Sequence, residues 1–244
     1  MHKLETLGGL KCHILDDLEA GQKPDLVVVL AHGFGAGGDD LVSVAESLLR
    51  LVPRLAETTQ FIFPAAPLSL DSVGMPGGRA WWMLDVNLLA EAARSGAFRN
   101  LTKDNPAELP AAREKFVALL DYLQAEVGMP LSRIVIGGFS QGAMLATDVA
   151  LRLPEPPAAL AIWSGTLLCE DTWRELAQKR GSLRIQQSHG YEDSILPFTA
   201  AIWLRNLLLE NGLDVNFIEF NGGHAIPNLV LQRFMELLLE IVGE

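Results

Sequence analysis

A serine framed by glycines is the feature that most limits how this chain can fold. Residues 138–142 read Gly-Phe-Ser-Gln-Gly, after the apolar run Ile134–Gly137 and before a helical pattern. This order predicts a strand, a sharp turn carrying Ser140 and a helix, the G-x-S-x-G setting of a nucleophilic serine. Backbones approach closely in such a turn, so glycine is needed on both sides of the serine. The alternative is a structural turn whose serine is inert.

The order of strand and helix patterns predicts an α/β fold. Short apolar runs alternate with longer helical patterns, as in a mostly parallel central sheet flanked by helices on both faces. The predicted strands are 11–15, 26–31, 60–63, 133–136, 158–163, 183–187 and 215–220. The predicted helices are 40–51, 110–127, 141–153, 198–210 and 226–242. No internal repeat or biased linker divides the chain, so residues 1–244 are predicted to form one domain.

Composition and charge exclude several classes of protein. The 244 residues carry a net charge of −11 without a Lys/Arg cluster, which argues against a nucleic-acid partner. Cys12 and Cys169 stand far apart, outside any metal-binding pattern. The first residues lack the apolar core of a signal peptide, and no uncharged apolar run reaches membrane-spanning length. We therefore predict a cytoplasmic protein without stable membrane insertion.

A serine nucleophile needs a base and an acid, which should follow it in the order Ser, Asp or Glu, His. His224 lies in Asn-Gly-Gly-His-Ala after the last predicted strand and is the predicted base. Asp193 follows the preceding strand and is the predicted acid, with Glu192 as its rival. Both loops leave the same predicted sheet edge as Ser140, so the three side chains are expected to converge.

Four other side chains are weaker candidates for this chemistry. Asp148 lies on the predicted helix after the serine and points away from it, and Asp85 precedes the serine, against the expected order. His189 precedes a glycine and is predicted to be structural. His32 has no second metal ligand near it in the sequence, so a metal site there is disfavoured.

An early glycine-rich loop, residues 32–38, follows the central strand 26–31 and reads His-Gly-Phe-Gly-Ala-Gly-Gly. In a fold of this kind such a loop supplies one backbone donor for an oxyanion, and the residue after the nucleophile supplies the other. We therefore predict the N–H groups of Phe34 and Gln141 as the oxyanion hole. A phosphate-binding loop is the alternative, but the G-K-[ST] and G-x-G-x-x-G patterns are absent.

The substrate pocket is predicted from apolar side chains before and within an irregular stretch. Residues 83–110 contain no clear strand and are predicted to form a small insertion, either a lid or pocket wall or a surface decoration. Met75, Trp81, Trp82 and Leu88 are the candidate pocket residues, since aromatic and flexible side chains suit an acyl group. The two tryptophans could equally fill the core.

Several segments resemble the carboxylesterase/phospholipase family of α/β-hydrolases, which includes acyl-protein thioesterases. They follow the family's order over most of the chain and are 30–35, 63–67, 79–82, 137–142, 189–193 and 222–224. The resemblance implies hydrolysis of ester or thioester bonds by Ser140, Asp193 and His224, without metal or cofactor. The sequence Trp-Trp-Met-Leu-Asp at 81–85 departs from the Trp-Phe-Asp usual in this family, which leaves the substrate open.

The resulting expectation is a serine esterase acting on a small-molecule ester or acyl substrate, as a monomer or homodimer. Acyl-protein thioesterase or lysophospholipase activity is the alternative within the family. A non-catalytic binding protein that keeps the fold is the alternative outside it. A peptidase would need a larger cap or propeller domain to select peptides, for which this chain has no room.

Overall fold

Eight strands form one continuous sheet in the computed structural model, which describes residues 1–84 and 100–243. Their spatial order is β1-β2-β4-β3-β7-β8-β9-β10, and all pairs are parallel except β1–β2 and β2–β4. The strands are β1 His2–Leu7, β2 Leu10–Leu15, β3 Leu26–Ala31, β4 Thr59–Pro64, β7 Ile134–Phe139, β8 Ala159–Trp163, β9 Arg184–Gly190 and β10 Asp214–Phe220. A separate antiparallel pair joins β5 Leu68–Ser69 to β6 Arg79–Ala80.

Helices cover both faces of the sheet. They are α1 Val42–Leu51, α2 Pro53–Thr58, α3 Leu109–Tyr122, α4 Gln141–Arg152, α5 Glu170–Arg180, α6 Phe198–Glu210 and α7 Asn228–Gly243. Buried side chains of α3, α4, α5 and α6 form one apolar cluster with the sheet, and those of α1, α2 and α7 form another. The α/β architecture predicted from the sequence is confirmed.

Strand β3 shows why the sheet sits at the centre. Its side chains alternate between the two apolar clusters: Val27 and Val29 belong to one cluster, Val28 and Leu30 to the other. All of them are at most 1% exposed. A strand that is apolar on both faces is typical of a parallel sheet with helices on each side.

The two-residue strands β5 and β6 and three longer elements were missing from the sequence-based assignment. Strand β1 lies at the sheet edge, pairs only with β2 and exposes five of its six residues, so its sequence carries no apolar run. Helix α5 is mostly polar and buries Trp173, Ala177 and Arg180, too few to give a clear helical period. Helix α2 has six residues and buries only Leu55. Each element is fixed by its packing and not by local periodicity.

The parallel strands bring the candidate residues to one edge of the sheet. The loops that follow β3, β7, β9 and β10 all leave from the carboxyl ends of these strands, and in an open α/β sheet this is the edge where ligands bind. The predicted insertion at 83–110 falls largely outside the described residues. Of its described parts, 83–84 and 100–108 contain neither helix nor strand, and 109–110 are the start of helix α3.

Candidate active site

Ser140 stands in a strained turn between strand β7 and helix α4. Its backbone angles are φ 55° and ψ −117°, a left-handed region that a non-glycine residue occupies only when its surroundings enforce it. The Ser140 N–H donates to the carbonyl of Trp163 on the neighbouring strand, at 2.8 Å. Ser140 itself lines a cavity at the sheet edge.

The glycines on either side of Ser140 allow this turn to form against the central strand. A Cβ at Gly142 would lie 2.6 Å from the carbonyl oxygen of His32 and still closer to that of Ala31. A Cβ at Gly138 would lie 2.7 Å from the carbonyl carbon of Gly142 and would also overlap the Ala31 oxygen. The close backbone approach predicted for this segment is confirmed.

The structure places Asp193 and not Glu192 beside His224. Asp193 Oδ2 lies 2.7 Å from His224 Nδ1. Asp193 is 4% exposed, whereas Glu192 is exposed to solvent. The two side chains come from the loops after β9 and β10, which are adjacent strands with Gly190 opposite Phe220.

The Asp193 carboxylate accepts hydrogen bonds on both oxygens. The backbone N–H groups of Ile195 and Leu196 donate to Oδ1 at 2.9 and 2.8 Å. Oδ2 lies 3.2 Å from His189 Nε2 in addition to His224. Burial by itself would raise the pKa of Asp193, but the hydrogen bonds from His189 and His224 bring this pKa well below its usual value. The carboxylate is therefore ionised at neutral pH.

Ser140 and His224 line the same cavity, and the ring of Phe139 packs against the imidazole of His224 at a centroid distance of 4.6 Å. Among the hydrogen bonds of residues 1–84 and 100–243, none joins Ser140 to His224. Catalytic hydrogen bonds are often long in unliganded sites and tighten when substrate binds. The arrangement therefore has the chain order expected of a nucleophile, a base and an orienting acid, with the acid–base contact formed and the serine on the same cavity as the histidine.

Two backbone N–H groups are available next to Ser140. Phe34 lines the cavity with Ser140, and its N–H donates to no other residue in the described part of the chain. Gln141 is the first residue of α4, where the helix offers no partner for an N–H group. The loop that carries Phe34 is tied to β6 by the hydrogen bond from Gly35 N–H to the Arg79 carbonyl, at 2.9 Å.

The side chain of His32 holds the 32–38 loop in place through two hydrogen bonds. Its Nδ1 lies 2.7 Å from the Gly33 carbonyl and its Nε2 lies 3.0 Å from the Ala66 N–H. A carbonyl can only accept and an N–H can only donate, so the proton is on Nδ1. Burial lowers the pKa of His32, which keeps the ring neutral and suits this pair of contacts. Its two nitrogens are thus used in holding the loop.

The side chain of Gln141 has a role that sequence reasoning missed. Its Oε1 accepts from the Trp81 N–H at 2.9 Å, and its Nε2 donates to the Trp82 carbonyl at 2.8 Å. The indole N–H of Trp81 donates to the His32 carbonyl at 3.0 Å. The nucleophile turn, the early loop and residues 81–82 are therefore joined by buried hydrogen bonds, with no local pattern that could have revealed them.

The cavity beside Ser140 has a volume of about 490 Å³. Its apolar wall includes Leu84, Leu101, Phe139, Met144, Ile195 and Leu196. Met144 lies one helical turn after Ser140, a spacing that could have identified it. Leu84 and Leu101 lie on opposite sides of the undescribed segment and have no distinguishing sequence signal.

The predicted pocket residues require correction. Trp81 and Trp82 are each 1% exposed and belong to the apolar core, so neither lines the cavity. Met75 packs toward Gly35 and is not part of the described cavity wall. Leu88 lies outside the described residues. Two aromatic side chains in sequence suit a core as well as a pocket, and here the hydrogen bonds of Trp81 hold it inside.

The remaining candidates are engaged elsewhere or cannot be placed. Asp148 is fully buried and accepts from Arg113 at 2.6 Å and from the Trp173 indole at 2.9 Å. Asp85 lies outside the described residues. Across the described ranges, no three His, Cys, Asp or Glu side chains form a group that could hold a metal ion.

Comparison with known proteins identifies the family of this chain. The family model for Phospholipase/Carboxylesterase matches residues 18–241. The chain belongs to the phospholipase/carboxylesterase family. It is 31% identical to acyl-protein thioesterase 1 of Neurospora crassa over 223 residues, which cover 87% of this chain and 85% of that protein. It is 27% identical to acyl-protein thioesterase 1 of Aspergillus fumigatus over 226 residues, covering 91% and 90% of the two chains.

The crystal structure of esterase PE8 superimposes with a TM-score of 0.77 at 28% identity, covering 93% of this chain and 97% of that one. The predicted α/β-hydrolase fold is thus confirmed. As a member of the phospholipase/carboxylesterase family, the protein is a carboxylic ester hydrolase. None of the helices within the described ranges has the length and apolarity needed to cross a membrane.

Proposed function

We propose that the protein is a serine esterase in which Ser140 is the nucleophile, His224 the base and Asp193 the orienting acid. The observation that supports this assignment is the meeting of three loops at one cavity. Ser140 is held there in a strained turn, and His224 lines the same cavity with Asp193 2.7 Å from its other ring nitrogen. The proposed substrates are carboxylic esters of small or acylated molecules.

In the proposed reaction, His224 takes the proton of the Ser140 hydroxyl as the oxygen attacks the carbonyl carbon. Asp193 stays ionised, holds the Nδ1–H of His224 and stabilises the imidazolium that forms. His224 then gives its proton to the leaving alcohol or thiol, and an acyl-enzyme remains. Water, activated by the same histidine, hydrolyses this ester and restores Ser140.

The negative oxygen of each tetrahedral intermediate would be bound by the N–H groups of Phe34 and Gln141. One such donor is typically worth ~3 kcal/mol of transition-state stabilisation. The N-terminus of α4 adds a favourable dipole at the same point. The hydrogen bonds of His32 and Gln141 described above hold the segments that carry these donors, which supports two N–H groups positioned before substrate binds.

The acyl group of the substrate would occupy the apolar cavity. Its wall offers leucine, isoleucine, methionine and phenylalanine side chains next to Ser140, an environment that binds hydrocarbon and excludes water. Thioester hydrolysis is the second candidate, since the relatives compared above are named acyl-protein thioesterases. Both activities share one acyl-enzyme and differ only in the leaving group.

The test is hydrolysis of p-nitrophenyl esters from acetate to palmitate, with matched acyl-thioesters measured in parallel. We expect Ser140→Ala to lower turnover by about 10⁶-fold while the circular dichroism spectrum is unchanged. Ser194→Ala is the matched control, because Ser194 lines the same cavity outside the proposed triad. Appreciable activity in folded Ser140→Ala would refute the assignment.

A non-catalytic protein that keeps this fold is separated by covalent labelling. A fluorophosphonate probe should label the wild type and Ser194→Ala but not Ser140→Ala, because only an activated serine reacts. Absence of labelling and of hydrolysis in the wild type would favour the binding-protein alternative. The proposed compartment is the cytoplasm, which cell fractionation of the expressed chain would test.

A further inference from the structure

The Asp193 carboxylate is approached by two imidazoles and not by one. His224 Nδ1 lies 2.7 Å from Oδ2, and His189 Nε2 lies 3.2 Å from the same oxygen. The two histidines differ in access to the cavity. His224 lines it, whereas the side chain of His189 is completely buried and is not part of the described cavity wall.

The partners of His189 fix the position of its proton. Nε2 lies 2.8 Å from the Leu196 carbonyl, which can only accept, so Nε2 must be the protonated nitrogen. Nδ1 is buried without any partner among the described residues. A protonated Nδ1 would leave a buried donor unsatisfied, so the neutral ring with one proton on Nε2 fits this environment. That proton is donated to Leu196 O, and Asp193 Oδ2 lies 3.2 Å from the same nitrogen.

These contacts close a small ring of hydrogen bonds around the acid loop. The Leu196 N–H donates to Asp193 Oδ1, and the Leu196 carbonyl accepts from His189. The His189 ring therefore braces the carboxylate and the turn 193–196 together. The same turn supplies Ser194, Ile195 and Leu196 to the cavity wall.

We propose that His189 is a positioning residue for the Asp193 carboxylate, holding Oδ2 in the orientation that receives the Nδ1–H of His224. This inference rests on the proposed function of Asp193 and His224. His189 touches neither substrate nor Ser140 and acts only through Asp193. A carboxylate tied on both oxygens cannot rotate away when the charge on His224 changes during the reaction.

The competing interpretation is that His189 only fills the core. Its ring lies 6.3 Å from that of Phe198, so it also has a packing role. If His189 only packs the core, substituting it should lower the stability of the protein whatever residue stands at position 193. A positioning role should affect turnover, and only when residue 193 is a carboxylate.

The test compares His189→Leu, which keeps bulk and removes the donor, with His189→Gln, whose amide can reach the same position. We expect His189→Leu to lower kcat for a p-nitrophenyl ester by about 10- to 100-fold, the usual effect of losing a hydrogen bond to a charged group. KM should change by less than about 3-fold, since the ring is outside the cavity. His189→Gln should recover most of kcat.

The decisive measurement is the same substitution in the Asp193→Asn background. If His189 acts through the carboxylate, His189→Leu should lower kcat there by less than about 3-fold, a strongly non-additive result. Equal losses in both backgrounds, or a lower melting temperature with unchanged kcat, would overturn the inference. If His189→Leu does not fold, the test falls to His189→Gln, whose amide can still reach the carboxylate. A kcat in this variant as low as that of Asp193→Asn would also overturn the inference. Active Ser140→Ala would refute the proposed function instead, and inactive Ser140→Ala with fully active His189→Leu would refute only this inference.

Discussion

The proposed reacting centre and the cavity wall lie side by side, yet they are built in different ways. The centre is made of strand ends and glycines: Ser140, Asp193 and His224 each follow a parallel strand, and their order in the chain fixes their order in space. The wall is made of apolar side chains from separate loops, from the end of strand β7 and from helix α4. If the proposed centre is right, the residues that carry the chemistry are encoded by local sequence patterns, whereas the fit of the substrate depends on how distant segments pack.

The difference should appear in the size and the kind of mutational effects. A change in the centre alters groups whose placement is set within fractions of an ångström, so it should reduce turnover for every substrate. A change in the wall removes a few carbon contacts, so it should alter selectivity among acyl chains and leave a short ester unaffected.

Asp193→Asn gives the largest effect among the changes that keep the nucleophile. The amide cannot hold the Nδ1–H of His224 as a carboxylate does, so we expect turnover to fall by about 10⁴-fold for acetate and longer esters alike. Steady-state kinetics with both esters would measure it. Glu192→Gln is the control, because this neighbour is exposed and should retain wild-type kcat. A loss confined to long esters would contradict the distinction between centre and wall.

Gly142→Ala tests whether backbone contact fixes the nucleophile. The added Cβ would meet the carbonyl oxygens of Ala31 and His32, which forces the turn away from β3 and displaces Ser140. A displacement of about 1 Å can cost about 100-fold in rate, so at least this loss is expected for all esters, with reduced fluorophosphonate labelling.

Gly243→Ala is the matched control, since no atom lies within 4 Å of the added Cβ. Wild-type kinetics in Gly142→Ala would show that the close approach is not needed to position the serine.

What the sequence can predict follows the same division. Ser140, Asp193 and His224 could be proposed because strand ends and glycine spacing are local signals, and their catalytic roles stay a prediction. For Trp81 and Trp82 the sequence left pocket and core equally open, because an apolar residue has the same sequence signal in both, and the structure buries them in the core. Strand β1 was missed because it is exposed, and the contact of His189 with Asp193 because it depends on side-chain geometry.

Leu84→Ala should have a smaller and selective effect. Leu84 lines the cavity and also packs partly against the core, so the loss of its side-chain carbons should lower kcat/KM for long esters by about 10-fold. Acetate should change by less than about 2-fold, because it does not reach the wall. A chain-length series measures this, with melting temperature as a check on folding.

Leu229→Ala on α7 is the matched control, since this leucine is 45% exposed and is not part of the described cavity wall. Equal losses for acetate and long esters in Leu84→Ala would mean that the wall also positions the reacting centre.

Chemical modification of the two cysteines is expected to have the smallest effect on esterase activity. It checks that no thiol takes part in the chemistry of the proposed centre. Burial raises the pKa of Cys12 to about 12 and that of Cys169 to about 11. Both thiols should therefore stay protonated in the folded protein between pH 7 and 9, and iodoacetamide should modify them slowly without changing esterase activity. In denaturant the thiols should react readily, with half-ionisation near pH ~8.5. Mass spectrometry of the labelled protein, alongside the ester assay, measures both.

If esterase activity fell in proportion to the labelling of the native protein, a thiol would lie in or near the proposed centre. This result would contradict a centre in which Ser140 is the nucleophile and no cysteine takes part.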